Sequence, residues 1–139
     1  MYTDTIIVLS INVISGLIVL AIIYYLAIKQ FKKQKEIELK AKAYFTFITK
    51  LLERGHDRSE NSSRELHKAV GDVVLSGDYT VINEMINFYR DHGVLDSTQA
   101  KESFAKIISK MRKDIIGNDN KDTEIPLEGI ILLLIGKER

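Results

Sequence analysis

The sequence predicts an all-α protein in which an N-terminal transmembrane helix extends into a small cytoplasmic helical bundle. Three observations lead to this class. Residues 6–28 form a long uncharged apolar run, apolar side chains recur at helical spacing through most of the remainder, and capping residues and glycines separate these stretches. The roughly 110 residues that follow the run are enough for one small domain.

Residues 6–28 contain 23 residues without a charged side chain. As a helix this run is ~35 Å long at ~1.5 Å per residue, which exceeds the ~30 Å hydrocarbon core of a bilayer. A cleaved signal peptide is disfavoured, because residues 1–5 carry no Lys or Arg and the run exceeds the usual ~7–15 apolar residues. A buried soluble helix is disfavoured by the same length. We therefore predict a transmembrane helix over residues 6–28 and a short external tail over residues 1–5.

The charges that flank the run predict its orientation. Asp4 precedes it, and four membrane-interface lysines follow it directly: Lys29, Lys32, Lys33 and Lys35. The positive-inside rule puts this basic side in the cytoplasm, so the sequence predicts a single-pass protein of the bacterial inner (plasma) membrane with its N-terminus outside. Residues 29–58 have a net charge of +5 and residues 59–139 one of −3. This distribution favours contact with anionic lipid and argues against a nucleic-acid partner.

Within the run, small and polar residues share one helix face. Asn12 and Gly16 are four residues apart, and Ser15 lies beside them. One interpretation is a contact with a second helix in the membrane, because small and polar side chains allow close approach there. The other is that these residues are simply tolerated, with Ser15 bonded to its own backbone.

Residues 29–55 are predicted to form a basic, amphipathic juxtamembrane helix that ends at Gly55. Its apolar stripe consists of Ile37, Ala41, Tyr44, Phe45, Ile48, Leu51 and Leu52, with Phe47 at the edge. The stripe fits either a parallel coiled coil between chains or packing against later helices of the same chain. Because it lasts only about two and a half heptads, we favour a domain over residues 56–139 that packs on the helix of residues 36–54.

Three further helices are predicted from caps, glycines and periodicity. The first begins at a capping box headed by Ser62 and stops at Gly77, the second is capped by Asp78 and ends at Gly93, and the third is capped by Asp96. The apolar face of the first consists of Leu66, Ala69, Val70, Val73 and Val74. That of the second consists of Val81, Ile82, Met85, Ile86 and Tyr89, with Phe88 beside them. That of the third consists of Ala100, Phe104, Ile107, Ile108, Met111 and Ile115.

The C-terminal region begins with a solvated loop over residues 117–124, according to its composition. Residues 127–135 are almost wholly apolar and follow Pro126, which suits a first helical turn. We favour a short core helix, while a strand, or an interface with the membrane or a second chain, stays open.

The sequence offers no clear catalytic or cofactor site. The absence of cysteine excludes disulfides and thiolate metal sites, and His56, His67 and His92 lack the spacing of metal ligands. Neither a phosphate-binding glycine loop nor a nucleophile elbow occurs. We therefore predict a protein without enzymatic activity, metal or cofactor.

Residues 104–117 contain Met111, Arg112, Lys113 and Asp114 shortly before Gly117. This segment resembles the helix end of an uncharacterised family of small bacterial single-pass membrane proteins. The segment of residues 73–78 strengthens the resemblance, which implies a C-terminal helical domain and no particular activity. Here two isoleucines replace the single leucine that the family has before the glycine. Arg112 and Asp114 are candidate partner contacts. Alternatively, this helix end carries only a cap and one intramolecular ion pair.

We predict from these features a membrane-anchored helical scaffold without catalytic activity, which binds the lipid bilayer and an unknown protein partner or itself as a homo-oligomer. The alternative is a membrane-active effector, such as a toxin-like or anti-phage component, that oligomerises through its transmembrane helix.

Overall fold

The computed structural model describes the backbone of residues 2–117 and 126–135, and this part of the chain forms α-helices and no strand. The helices are α1 (Tyr2–His56), α2 (Glu60–Ser76), α3 (Tyr79–Asp91), α4 (Thr98–Ile116) and α5 (Leu127–Ile135). The predicted all-α class is therefore confirmed. The predicted loop of residues 117–124 lies outside the described residues except for Gly117.

The chain divides into two compact units, Met1–Glu36 and Ile37–Arg139. The first unit belongs to α1, and its side chains from Ile14 to Glu36 are all exposed. Among the described residues, α1 is the helix that is long and apolar enough to cross a membrane, and none of its apolar window is buried in this chain.

The second unit has one hydrophobic core, to which the C-terminal part of α1 and helices α2, α3 and α4 contribute. Its largest fully buried side chains are Tyr44, Phe47, Leu51, Val73, Val81, Phe88, Phe104 and Ile107. Helix α4 packs against both α3 and α5. Because these side chains come from helices far apart in sequence, burial of their apolar surface holds the unit together.

The buried face of α1 differs from the predicted stripe at one edge. Phe47, predicted at the edge, is completely buried, whereas Phe45 is 72% exposed. The buried residues Tyr44, Phe47 and Leu51 follow the three- and four-residue spacing of one helix face. Phe45 is turned away from that face by about 100°, the rotation between successive residues at ~3.6 residues per turn.

Three other residues predicted to be buried are exposed. In α3, Ile86 is 55% and Tyr89 37% exposed, while the neighbouring face carries the buried Phe88, and Val74 of α2 is also exposed. In both helices the apolar residues span more of the circumference than the core covers, so one edge of each stripe faces solvent.

Two helices begin at a different cap from the one predicted. Ser59, rather than Ser62, caps α2 by accepting a hydrogen bond from the Ser62 amide, and Ser62 itself is buried in the first turn. Ser97, rather than Asp96, caps α4 by accepting from the Ala100 amide. The predicted Asp78 cap of α3 is confirmed, since its carboxylate accepts from the Thr80 amide at 2.9 Å.

The glycine stops after α2, α3 and α4 agree with the sequence, as does the last helix. The stop predicted at Gly55 is wrong, because Gly55 lacks a positive φ and α1 continues through it to His56. Gly77 ends α2 and Gly117 ends α4, the latter with a positive φ of 85°. The apolar stripe of α4 is buried or partly buried as predicted. Residues 127–135 form a helix, and its residue Ile130 is buried while Ile135 packs on the core.

Candidate functional site

A polar junction built on the Tyr44 hydroxyl connects three segments of the second unit. Tyr44 donates a hydrogen bond to the Asp114 carboxylate at 2.5 Å and accepts one from the Asp78 backbone amide at 3.1 Å. Lys40, one turn earlier on α1, lies 3.3 Å from the same carboxylate. The junction therefore fastens the end of α4 and the α2–α3 turn to α1.

The environment of this junction keeps the Tyr44 hydroxyl protonated. Burial raises the pKa of Tyr44 well above its usual value, and the hydrogen bond to the Asp114 carboxylate raises it further. Only a protonated hydroxyl can donate to the carboxylate while it accepts from the Asp78 amide. The group is therefore arranged as a structural donor rather than as a general base.

Asp114 was one of two candidate partner contacts, and it has partners within its own chain. Its two carboxylate oxygens bind Tyr44 and Lys40, and its side chain is 13% exposed. The C-terminal end of a helix disfavours a carboxylate, and these two donors offset that effect. The geometry thus matches the intramolecular ion pair that the sequence offered as the alternative, and contact of Asp114 with a partner stays a prediction.

Arg112, the second candidate, is partly buried near the end of α4. Its Nη1 atom is buried and has no hydrogen-bond partner among the described residues. A buried donor without an acceptor is destabilising by about 1–3 kcal/mol. Because this atom is buried, it offers no surface to a partner, and the predicted partner contact of Arg112 stays a prediction.

The predicted membrane-interface lysines all lie on α1 in the first unit. Lys29, Lys32, Lys33 and Lys35 are exposed. Phe31 among them is also exposed, at 65%. This arrangement presents positive charge and one aromatic ring around a short stretch of helix, which suits the headgroup region of a bilayer.

The three residues predicted to contact another helix in the membrane are also in α1. Nothing lies within 4 Å of the position that a Cβ atom on Gly16 would take, and the neighbouring Ser15 is exposed. Asn12 belongs to the helix, but its side chain lies outside the described set. The surface around Gly16 thus has room for a second helix.

A cleft of about 380 Å³ lies where α1 ends beside α2 and α3. Arg54, His67 and Tyr89 provide polar groups at its walls, and Leu66, Val70 and Val94 provide apolar ones. The His67 Nδ1 atom donates to the Ser63 carbonyl at 2.7 Å. Burial raises the pKa of Tyr89 to about 12. The cleft can therefore seat an apolar side chain beside a hydrogen-bonding group.

No group of three or more His, Asp or Glu side chains is close enough to hold a metal ion in the part of the chain that the structure describes. The sequence-based prediction of a protein without metal, cofactor or catalysis stays a prediction.

No family model matches the chain, and no curated protein or solved structure is significantly similar to it. The resemblance of residues 104–117 to a family of small membrane proteins is therefore a prediction that these comparisons do not test.

Sequence reasoning missed Tyr44 and Lys40 as the partners of Asp114. A usable signal was present, because a carboxylate in the last turn of a helix needs a donor, and Tyr44 is the one residue with a hydroxyl on the apolar stripe of α1. The sequence could not show that the two side chains meet in space, since Tyr44 and Asp114 are 70 residues apart along the chain.

Proposed function

We propose that this chain is a single-pass protein of the inner membrane that holds a small helical unit in the cytoplasm, where the unit binds a protein partner or a second copy of itself without catalysing a reaction. One observation carries the proposal. An uncharged run of 23 residues lies in α1, the described side chains of that run are all exposed, and four lysines follow the run within seven residues.

The anchor supplies the mechanism. Confinement to the membrane raises the effective concentration of the helical unit relative to any partner at the same surface, so weak contacts are sufficient. The described unit offers a place for such contacts in the cleft near Arg54. This cleft suits a partner that brings an acidic or hydrogen-bonding group beside apolar side chains.

Fractionation combined with a tag-accessibility assay tests this proposal. The full chain, with a short epitope tag at either terminus, is expressed in bacteria and separated into soluble and membrane fractions. We expect the product in the membrane fraction after a carbonate wash. In intact cells, protease should remove an N-terminal tag and spare a C-terminal one. A soluble monomer, or a C-terminal tag accessible from outside, would contradict the proposal.

The open surface at Gly16 supports a second candidate, a membrane-active effector that assembles through α1. Cross-linking in membranes with and without Asn12→Leu measures the assembly, and a dye-leak assay in vesicles measures its effect on the bilayer. Assembly that is lost with Asn12→Leu, together with leakage, would favour the effector. Assembly without leakage or growth arrest would favour the scaffold.

A further inference from the structure

We propose that the cleft where α1 ends beside α2 and α3, hereafter the Arg54 cleft, binds the C-terminal residue of the partner protein, and that this residue has an apolar side chain. The terminal carboxylate contacts Arg54, and the side chain occupies the apolar part of the cleft. This inference rests on the proposed binding of a protein partner and names the chemistry of the segment that is recognised.

The charge of the Arg54 cleft favours an anionic ligand. Among the described residues at its walls, Arg54 carries a permanent charge and none is Asp or Glu. Hydrogen bonds between a guanidinium and a carboxylate are about twice as strong as those between neutral groups. A carboxylate that enters the cleft therefore meets a cation with no competing carboxylate on the described walls.

The carboxylates near the Arg54 cleft leave this cation available. Asp57 accepts from the Ser59 amide and the Ser59 hydroxyl at 2.9 Å each, and these two bonds lower the pKa of Asp57 more than Arg54 does. Asp96 lines an adjoining cleft of about 100 Å³, but a second arginine, Arg58, lines it as well. The balance of charge around Arg54 thus still favours an anion.

The guanidinium of Arg54 is positioned before any ligand arrives. Its Nη1 atom donates to the Ser59 carbonyl at 2.8 Å, and the residue is half-buried. A guanidinium has several N–H donors in a planar fork, so one bond to the backbone leaves others for a carboxylate. Because the side chain is already held, binding costs less conformational entropy than it would for a free arginine.

Polar and apolar groups lie side by side along the α2 wall of the cleft. Ser63, Leu66, His67 and Val70 follow the spacing of one helix face, with Leu66 buried, Val70 half-buried and His67 exposed. A ligand that uses this wall needs an acidic group and an apolar group next to each other. The C-terminal residue of a protein carries both on one Cα atom when its side chain is apolar.

The size of the cleft agrees with a single residue of this kind. Its volume of about 380 Å³ is near the lower end of the ~300–1,000 Å³ range of ligand pockets. It has room for one large apolar side chain and its carboxylate, and an α-helix about 10 Å across is too wide for it.

A peptide titration followed by methyl NMR tests the Arg54 cleft. The full chain, with labelled Val and Leu methyl groups, is held in non-ionic detergent micelles and titrated with a short glycine–serine peptide that ends in leucine. The same peptide with an amidated C-terminus is the matched ligand control. We expect the free acid to shift the methyl resonances of Val70 and Val94, at the cleft, and to leave that of Val74, an exposed residue elsewhere on α2, unchanged.

Two substitutions should weaken binding of the free acid. We expect amidation of the peptide, or Arg54→Gln in the protein, to weaken it by about ten-fold or more, because a charged hydrogen bond is lost. Val94→Glu keeps Arg54 and its bond to Ser59, adds a carboxylate at a 39% exposed wall position, and should weaken binding to a similar degree. Arg64→Gln, at a 79% exposed side chain that does not line the cleft, is the matched control and should leave the affinity unchanged.

Three outcomes would overturn the inference. Equal binding of the free and the amidated peptide would exclude recognition of the carboxylate. Equal losses in Arg54→Gln and Arg64→Gln would assign binding to general surface charge. Hexanoate that binds as tightly as the peptide would assign the cleft to a free fatty acid. None of these outcomes affects the fractionation test of the anchor, and a soluble product in that test would leave the peptide titration unaffected.

Discussion

Tyr44 concentrates more structural roles than any other side chain of the polar junction. It is buried, it donates to Asp114, and it accepts from the amide that begins the next helix after Gly77. Its ring fills the core while its hydroxyl satisfies polar groups from two distant segments. The two contributions can be separated, because phenylalanine keeps the ring and removes the hydroxyl.

We predict that Tyr44→Phe lowers the free energy of unfolding by about 1.5–3 kcal/mol, since a hydrogen bond to a charged group is lost. Urea unfolding of the full chain in mild detergent, followed by circular dichroism, measures the change. Tyr79→Phe is the matched control: that side chain is 77% exposed, so its effect should stay within about 0.5 kcal/mol. Equal effects of the two substitutions would show that the junction contributes no stability.

The raised pKa of Tyr44 predicts loss of stability at alkaline pH. In the unfolded chain the hydroxyl ionises near pH ~10, whereas the folded chain keeps its proton to a higher pH. The resulting stabilisation is complete below pH ~10 and is lost progressively as the pH rises above it, by at most ~1.4 kcal/mol per pH unit. Urea midpoints at pH 9 and pH 11 should differ more for the wild type than for Tyr44→Phe. A parallel decline of both proteins would exclude Tyr44 as its source.

At the scale of single residues, the sequence identified Asp114 and Arg112 but not their surroundings. A carboxylate at a helix C-terminus indicates that a donor must be near, and the identity of that donor depends on tertiary packing. Phe45 and Phe47 illustrate the same limit. Two phenylalanines two residues apart cannot both face the core, and periodicity favoured Phe45, whereas the structure buries Phe47.

Among the elements, the α2–α3 turn depends on a glycine for space rather than for an unusual backbone. A Cβ atom at Gly77 would lie 2.7 Å from the Val73 carbonyl and 3.2 Å from the Tyr44 ring, although φ is an ordinary −79°. Gly71, within the same helix α2, has nothing within 4 Å of the equivalent position. The two glycines therefore form a matched pair.

We predict opposite outcomes for alanine at these two positions. Gly77→Ala should lower the free energy of unfolding by about 1–3 kcal/mol, because the methyl group is forced into filled space. Gly71→Ala should raise it by about 0.5–1 kcal/mol, because alanine favours the helix and nothing obstructs it. Thermal unfolding of both variants tests the pair, and stabilisation by Gly77→Ala would contradict the close contact with Tyr44.

The cap of α4 is Ser97 in the structure and Asp96 in the sequence-based prediction, so two substitutions can distinguish them. We predict that Ser97→Ala lowers the free energy of unfolding by about 1 kcal/mol, because the Ala100 amide loses its acceptor. Asp96→Ala, which removes the cap that the sequence favoured, should change it by less than about 0.5 kcal/mol. Urea unfolding measures both changes. A larger effect of Asp96→Ala than of Ser97→Ala would place the cap at Asp96, one residue earlier.

The sequence therefore predicted which segments form helices. It predicted less well where each helix begins and ends and which of its faces is buried. Helix α4 was predicted well because its apolar residues form a narrow stripe of constant spacing. Helix α2 is capped by Ser59 rather than Ser62, because several nearby serines can each cap a helix and only packing selects among them. The wide apolar surface of α3 concealed which edge is buried.

At the scale of the whole molecule, the charges on the two sides of the apolar run have opposite signs. A single acidic residue, Asp4, precedes the apolar run, and the four interface lysines follow it. If these lysines determine orientation, changing Lys29, Lys32, Lys33 and Lys35 together to Gln should raise the fraction of molecules whose C-terminus faces outward.

Protease accessibility of a C-terminal tag measures that fraction. The matched control removes four charges at exposed positions remote from the run, by changing Arg58, Arg64, Lys68 and Lys106 to Gln. Charges more than about 15–20 residues from a transmembrane end have little influence, so the control should keep the wild-type orientation. An unchanged orientation in both variants would mean that a feature other than the lysines determines it.

The 70-residue separation between Tyr44 and Asp114 has a consequence for synthesis of the protein. The ribosome releases the apolar run long before it reaches Asp114, so the proposed anchor can be inserted while Tyr44, Phe47 and Leu51 still lack cover from α4. Nascent chains that stop short of α4 would therefore expose the apolar face of α1 that is buried in the complete unit.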